Sequence, residues 1–223
     1  MKKITGAKIV LETLKYLGVK DIFGYPGGAV IPIYDALYDF KGINHYMTRH
    51  EQGAVHSADG YARTKKVPGV CLATSGPGAT NLVTGIMTAH MDSIPLLVIT
   101  GQVSTSFLGK DSFQESDIIG ITSPITKNNY LVRDICDLPE ILKEAYTLSK
   151  HGRPGPVLVD IPKNIQEQVV DYSLFEILLK KDIQEMKKFK PTYTDKEIKE
   201  FENYFNSSKN PVLVIGGGVL NAR

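Results

Sequence analysis

Apolar residues recur at helical spacing between Thr5 and Leu17, at Val10, Leu14 and Leu17, and Gly18 follows as a stop, so the chain opens on an amphipathic helix. Asp21-Ile22-Phe23-Gly24 then reads as a short strand running into the turn-forming Tyr25-Pro26-Gly27-Gly28. The alternation continues with a helix near 30–38, a strand near 43–47, a helix over about 51–64 and a strand over 69–74. After Ser75-Gly76-Pro77-Gly78 comes a helix to about Met91, and 94–100 is an apolar run of the kind buried on both faces of a parallel sheet. The stretch 101–124, rich in Ser, Thr, Gly and Asp, predicts a long functional loop or short helical pieces. A helix near 138–149 and a strand over 156–161 complete the pattern.

Repeated β-α alternation with buried strands predicts an open α/β sandwich, a mostly parallel sheet with helices on both faces, over residues 1–165. From 166 to 193 the chain is charged and lysine-rich, with two isolated apolar clusters, which is linker character. Thr194-Asp195-Lys196-Glu197 has the form of a capping box ahead of Ile198, Phe201 and Phe205 at helical spacing. Pro211-Val212-Leu213-Val214-Ile215 then predicts another buried strand, ending in Gly216-Gly217-Gly218, so 194–223 reads as the opening of a second α/β domain. There is no internal repeat.

Composition narrows this picture only a little. Twenty-six basic and 24 acidic side chains leave a net charge of +2, and the basic cluster around Lys187, Lys188 and Lys190 is broken by acids, so nucleic acid is not indicated. Cys71 and Cys136 form neither a CxxC pair nor a metal-ligand spacing. The N-terminus enters the first helix without an apolar stretch of signal-peptide type, and no window approaches the roughly 20 apolar residues of a membrane span. A soluble protein of a reducing compartment is expected.

The residue that stands out chemically is Glu51. It begins a helix whose apolar positions are Ala54, Val55, Ala58, Tyr61 and Ala62, and it lies on their side. Acids in first helical turns often do no more than complement the helix dipole. A carboxyl on a buried face, however, costs several kcal/mol, by order of magnitude, unless something hydrogen-bonds it. His50-Glu51-Gln52 is not the start of a zinc-binding HExxH, because Ala54 stands where the second histidine belongs and His56 falls on another face. No metal ligand is assigned.

Ser75-Gly76-Pro77-Gly78-Ala79-Thr80-Asn81 lies between a strand and a helix, where small residues and free N–H groups allow an anion or a flat ring to approach. It is equally readable as a tight turn, since it lacks the third glycine of a dinucleotide fingerprint and the lysine of a P-loop. Arg153, within Gly152-Arg153-Pro154-Gly155-Pro156, and Lys163 flank the strand over 156–161. Each suits an acidic group or is a plain solvated loop residue.

Taken in order, seven blocks resemble the N-terminal region of the acetolactate synthase (acetohydroxyacid synthase) large-subunit family. They are Phe23-Gly24-Tyr25-Pro26-Gly27-Gly28-Ala29, Arg49-His50-Glu51-Gln52, Asp59-Gly60-Tyr61-Ala62-Arg63 and Thr74-Ser75-Gly76-Pro77-Gly78-Ala79-Thr80-Asn81, followed by Thr100-Gly101-Gln102-Val103, Phe113-Gln114-Glu115 and Gly152-Arg153-Pro154-Gly155-Pro156-Val157. The resemblance spans about residues 4–165. His90, Ser57 and the lysine-rich 166–193 depart from the family's usual pattern.

The resemblance implies the pyrimidine-binding domain of a thiamine-diphosphate enzyme that condenses two pyruvates, or pyruvate and 2-oxobutyrate, with loss of CO2 in branched-chain amino acid biosynthesis. It makes Glu51 the acid that hydrogen-bonds N1′ of the aminopyrimidine and favours its imino tautomer. It places Tyr25, Pro26, Gly27, Gly28, Gly76, Asn81 and Gln114 against the cofactor, Gln102 and Phe113 near substrate, Lys163 at the access channel and Arg153 against FAD. It also implies a dimer or tetramer, a regulatory small subunit as a possible partner, and a cytoplasmic or plastid-stromal location. Magnesium and the diphosphate would be held by a C-terminal domain bearing Gly-Asp-Gly, a tripeptide absent from these 223 residues, so the chain is expected to be catalytically incompetent alone. The alternatives are another thiamine-dependent 2-oxo acid decarboxylase or ligase and a non-catalytic dimerisation module. Glyoxylate carboligase is disfavoured because that relative lacks the activating glutamate.

Overall fold

The computed structural model describes residues 2–183 and 192–221, in two compact units, Met1–Glu185 and Met186–Arg223. The first unit runs β1 (Lys3–Thr5), α1 (Gly6–Tyr16), β2 (Asp21–Gly24), α2 (Ile31–Tyr38), β3 (Asn44–Met47), α3 (Glu51–Lys65), β4 (Gly69–Ala73), α4 (Pro77–Thr80), α5 (Val83–Asp92) and β5 (Leu96–Gln102). It continues through α6 (Ile118–Thr122), β6 (Asn128–Leu131), α7 (Leu138–Lys150), β7 (Pro156–Pro162), α8 (Lys163–Glu167), β8 (Val169–Asp171) and α9 (Tyr172–Lys180).

Six strands form one sheet in the order β3-β2-β4-β5-β7-β6, parallel at every pairing. The central strands β4, β5 and β7 are buried along their whole length, which is why they read as unbroken apolar runs. Alternate residues feed two cores. Val70, Leu72, Leu97, Ile99, Val157 and Val159 pack with α1, α2 and α7, whereas Cys71, Ala73, Leu96, Val98 and Leu158 pack with the alanine-rich faces of α3 and α5. The small side chains on that second face let its helices lie close to the sheet.

The structure differs from the sequence reading in four places. The helix expected up to Met91 is two, α4 and α5, interrupted at Asn81-Leu82. Asparagine bonds locally in preference to continuing a helix, and here its side chain turns away to Glu51. The polar edge strand β6 lacks the apolar alternation that marks a strand. Within the stretch read as linker, 166–180 folds onto the first unit. There β8 pairs antiparallel with β1, α9 buries Phe175, and the buried Lys143 donates its ammonium to the carbonyls of Leu178, Leu179 and Lys181. The apolar clusters of that stretch thus have a core to join; residues 184–191 of it lie outside the described residues.

In the second unit, α10 (Asp195–Ser207) carries the expected capping box, with Thr194 and Glu197 bonded reciprocally. A short helix, α11 (Gly217–Asn221), follows. The strand expected at Pro211–Ile215 is absent. That segment has no regular secondary structure and is exposed, with Val214 93% accessible, because no described strand of this unit offers it a partner and an unpaired strand gains no ladder hydrogen bonds.

Candidate active site

Successive connections leave the sheet in opposite directions at β2 and β4: the chain passes from β2 to β3 on one side, and from β4 to β5 on the other. In open parallel sheets such a switch point opens a crevice beyond the carboxyl ends of the strands. The turn after β2 (Tyr25 to Gly28), the turn after β4 (Thr74 to Gly78), Gln102 at the end of β5 and Lys163 after β7 all lie along this edge. Two bonds tie the first turn to β4 and to the turn after it: Tyr25 N–H donates to Leu72 O at 3.3 Å and Ala29 N–H to Thr74 Oγ1 at 3.0 Å.

Glu51 lies at this switch point, at the start of α3 and beside the turn after β4. His50 is the N-cap, its Nδ1 accepting from the Gln52 N–H at 3.1 Å, and Thr48 fixes the approach by donating its hydroxyl to His50 O at 2.9 Å. Glu51 is thereby turned inward and is only 8% exposed. Its Oε2 accepts from Asn81 Nδ2 at 2.9 Å. Further along α3, Arg63 bonds Asp59 at 2.8 Å and Asp92 at 2.7 Å, fastening α3 to the end of α5.

The turn beside Glu51 is built for close approach. Gly76 holds φ +58, and a Cβ there would stand 2.6 Å from Gln114 O, so only glycine suits both the dihedral and the contact. A Cβ on Gly78 would meet Thr74 Cγ2 at 2.6 Å and Glu51 Oε1 at 3.2 Å. A nearly buried carboxylate with an amide donor on one oxygen can share a proton with a ring that reaches the other.

Other predicted residues are placed unevenly. Tyr25, Pro26 and Gly28 are exposed in the turn after β2, and Gly27 is half-buried against Thr74. Gln114 reaches Gly76 through its backbone, at φ +57, and Phe113 is 88% exposed. Gln102 is buried and turned into the protein: its Nε2 donates to Asp160 Oδ2 at 2.9 Å and Ser116 O at 3.0 Å, and its Oε1 accepts from Val103 N–H at 2.9 Å. Lys163 is half-buried at the start of α8. Arg153 precedes β7 and therefore lies at the opposite edge of the sheet, where its guanidinium bonds Ser93 Oγ at 2.8 Å and the carbonyls of His90 and Met91 at the end of α5.

Three residues near this edge were not picked out from the sequence. Thr74 joins the two turns. The Tyr34 hydroxyl lies 3.2 Å from His45 Nε2 and would meet a Cβ on Gly24 at 2.5 Å. Burial, with Cys71 and Glu51 adding to it, raises the Tyr34 phenol above its ordinary range, and burial lowers His45. Asp160, a lone acid inside an apolar strand, is 1% exposed, and burial pushes its carboxyl up to about 7 against the bonds from Thr100 and Gln102. An acid within the run Pro156–Ile161 is the signal by which it could have been found.

Among the described residues no cluster of three or more His, Cys, Asp or Glu is placed to hold a metal ion, and no helix is long and apolar enough to cross a membrane. The chain is 50% identical over 98% of its length to the acetolactate synthase large subunit of Cyanidium caldarium, spanning 38% of that protein. It is 50% identical over 98% of its length to the acetolactate synthase large subunit of Lactococcus lactis, spanning 37%. It is 48% identical over 99% of its length to the isozyme 1 large subunit of Escherichia coli, spanning 38%. The chain thus covers little more than a third of the length of these relatives. Residues 4–121 match the model of the thiamine pyrophosphate enzyme N-terminal TPP binding domain, and with Glu51 and both crevice turns inside that match the chain belongs to the thiamine pyrophosphate enzyme family.

Proposed function

We propose that this chain forms the pyrimidine-binding part of an acetolactate synthase large subunit, and that Glu51 is the acid that activates thiamine diphosphate. The observation that carries this reading is the placement of Glu51: nearly buried, at the switch-point crevice, with one amide donor at 2.9 Å and a glycine floor against its second oxygen. The bound cofactor supplies the electron sink for decarboxylating a 2-oxo acid. The chain's own residues do the rest. Glu51 holds or releases a proton toward the pyrimidine ring, Asn81 orients the carboxylate, and Gly76 and Gly78 let the turn pack closely against Gln114 and Thr74 beside the acid. The exposed Tyr25 to Gly28 turn lines the mouth of the crevice.

The acetolactate product, rather than that of another 2-oxo acid decarboxylase or ligase, is supported by about 50% identity to acetolactate synthases over nearly the whole chain. Magnesium and the diphosphate belong in this reading to a C-terminal domain, FAD to the domain opening near residue 194, and a second subunit to the far wall of the crevice. A regulatory small subunit is proposed because the relatives are named large subunits.

The test is a chimera in which residues 1–165 replace the matching stretch of the Lactococcus lactis enzyme, assayed for acetolactate from pyruvate. Glu51→Gln in that chimera is expected to lower turnover by roughly 10²- to 10⁴-fold, the usual worth of a positioned acid or base, with the unfolding temperature unchanged. Near-normal turnover refutes the role of Glu51. Acetaldehyde as sole product refutes the acetolactate reading and leaves the cofactor assignment standing.

A further inference from the structure

A carboxylic acid inside an all-parallel sheet is expensive, and replacing a buried charge network with apolar side chains of similar volume is often neutral or stabilising. Asp160 lies on β7 between the apolar Val159 and Ile161 and is 1% exposed. Its carboxylate accepts from Thr100 Oγ1 at 2.7 Å and from Gln102 Nε2 at 2.9 Å. Thr100 is itself buried, so that bond only satisfies the acid. The bond to Gln102 does more, because the same Nε2 also donates to Ser116 O at 3.0 Å. One carboxamide therefore joins β7, the end of β5 and the far end of the 103–117 loop.

That loop behaves as a braced piece with two tethers. Glu115 accepts from the N–H groups of Gly109, Lys110 and Ser112, tying the turn to itself. The near end is held by Thr105 N–H donating to Asn164 Oδ1 at 2.9 Å. The far end is held by Gln102 at Ser116. Between them Gln114, in the left-handed region at φ +57, sets its carbonyl where any side chain on Gly76 would collide with it. Beneath the loop a cavity of about 320 Å3 is lined by Gln102, Asp160, Ser116, Glu115 and Asp117 among others, so packing alone does not seat the segment. Glu115 and Asp117 are the other charged groups around this cavity, and neither neutralises Asp160.

We propose that Asp160 is a positioning residue that, through Gln102, holds residues 112–116 and the Gln114 carbonyl against the Gly76 turn beside Glu51. Gln102 then serves the site as an anchor, with both its polar atoms engaged inside the protein. The importance of this anchor for catalysis rests on the reading of Glu51 given above; the tether itself does not.

The experiment is amide hydrogen exchange read by mass spectrometry on the full 223-residue chain, comparing the unaltered protein with Asp160→Asn, Asp160→Leu and Gln102→Met. Asparagine can donate to Thr100 and still accept from Gln102. It is expected to keep exchange over 112–117 and 76–82 within about twofold of the unaltered chain, whereas leucine and the Gln102→Met change each raise it by about tenfold, the worth of one buried hydrogen bond. Residues 105–108, tethered separately by Asn164, and helix α7 are expected to stay unchanged. If Asp160→Leu does not fold, Gln102→Met alone carries the comparison. Unchanged exchange over 112–117 in Gln102→Met, or an Asp160→Asn chain as loose as the Leu variant, overturns the proposal. Because the readout needs no cofactor, its failure leaves the role of Glu51 intact, and failure of the Glu51→Gln assay leaves the tether intact.

Discussion

The Asn81 carboxamide donates to the Glu51 carboxylate at 2.9 Å, joining two helix ends that lie 30 residues apart in the chain. The contact is possible because α4 stops at Asn81, freeing that side chain to turn toward α3. It satisfies one oxygen of a nearly buried acid and leaves the other beside Gly78.

Asn81→Leu removes this donor and is expected to destabilise the chain by about 1–3 kcal/mol at neutral pH, as for a buried acceptor left without its partner. Asn81→Asp puts a second carboxylate against the first and is expected to cost more than Asn81→Leu, since like charges at this separation repel. Urea unfolding of the two variants decides it, and equal losses would show that the pair does not sense charge.

Gly78→Ala is expected to cost about 1–3 kcal/mol through overpacking, because the new methyl meets Thr74 Cγ2 at 2.6 Å. It also crowds Glu51 Oε1, at 3.2 Å, so Thr74→Ser, which removes the clashing methyl, should recover the stability while leaving Glu51 displaced. Unfolding midpoints of the single and double variants measure this; no recovery in the double variant would mean that the strain lies elsewhere.

Asp160 predicts a pH dependence. Burial holds its carboxyl near 7 in the folded chain against an ordinary value of 3.8. Between those limits the folded protein keeps a proton that the unfolded chain has lost, so this group's contribution to stability falls as pH rises from about 4 to about 7 and is level above that. The full difference is on the order of 4 kcal/mol from the energy equivalent of a pKa change. Asp160→Asn does not titrate. The stability of the variant minus that of the unaltered chain should therefore grow between pH 5 and pH 8, and a constant difference across that range would contradict the assignment.

Lys143→Met tests how the 166–180 stretch is held. The lysine is buried, and its ammonium satisfies three carbonyls at the end of α9, where a cation also opposes the helix dipole. Methionine fills the volume without the donors. A loss of about 2–4 kcal/mol is expected from orphaned carbonyls, together with faster proteolysis after Lys180 and Lys181. Unaltered proteolysis would show that Phe175 alone docks the helix.

Much of the architecture was legible in local pattern. The buried runs of β4, β5 and β7, the helix start at Glu51 and the capping box at Thr194 each follow from residues within a few positions of one another, where side-chain period and cap chemistry act. The strand expected at Pro211–Ile215 marks the limit of that reasoning. Its apolar run is real, but a strand exists only where another strand pairs with it. In the same way, β6 is a strand through its pairing with β7 and without an apolar pattern of its own.

The amino-acid sequence by itself determined the alternation of strands and helices, the glycine turns at strand ends and an acid poised at a helix start. Tertiary structure alone decided the order β3-β2-β4-β5-β7-β6, and with it which turns share the crevice with Glu51, why Gln102 faces Asp160 58 residues away, and why Arg153 sits at the opposite edge. Hydrogen-bond partners so distant in the chain are chosen by strand order and packing, and local periodicity carries no information about either.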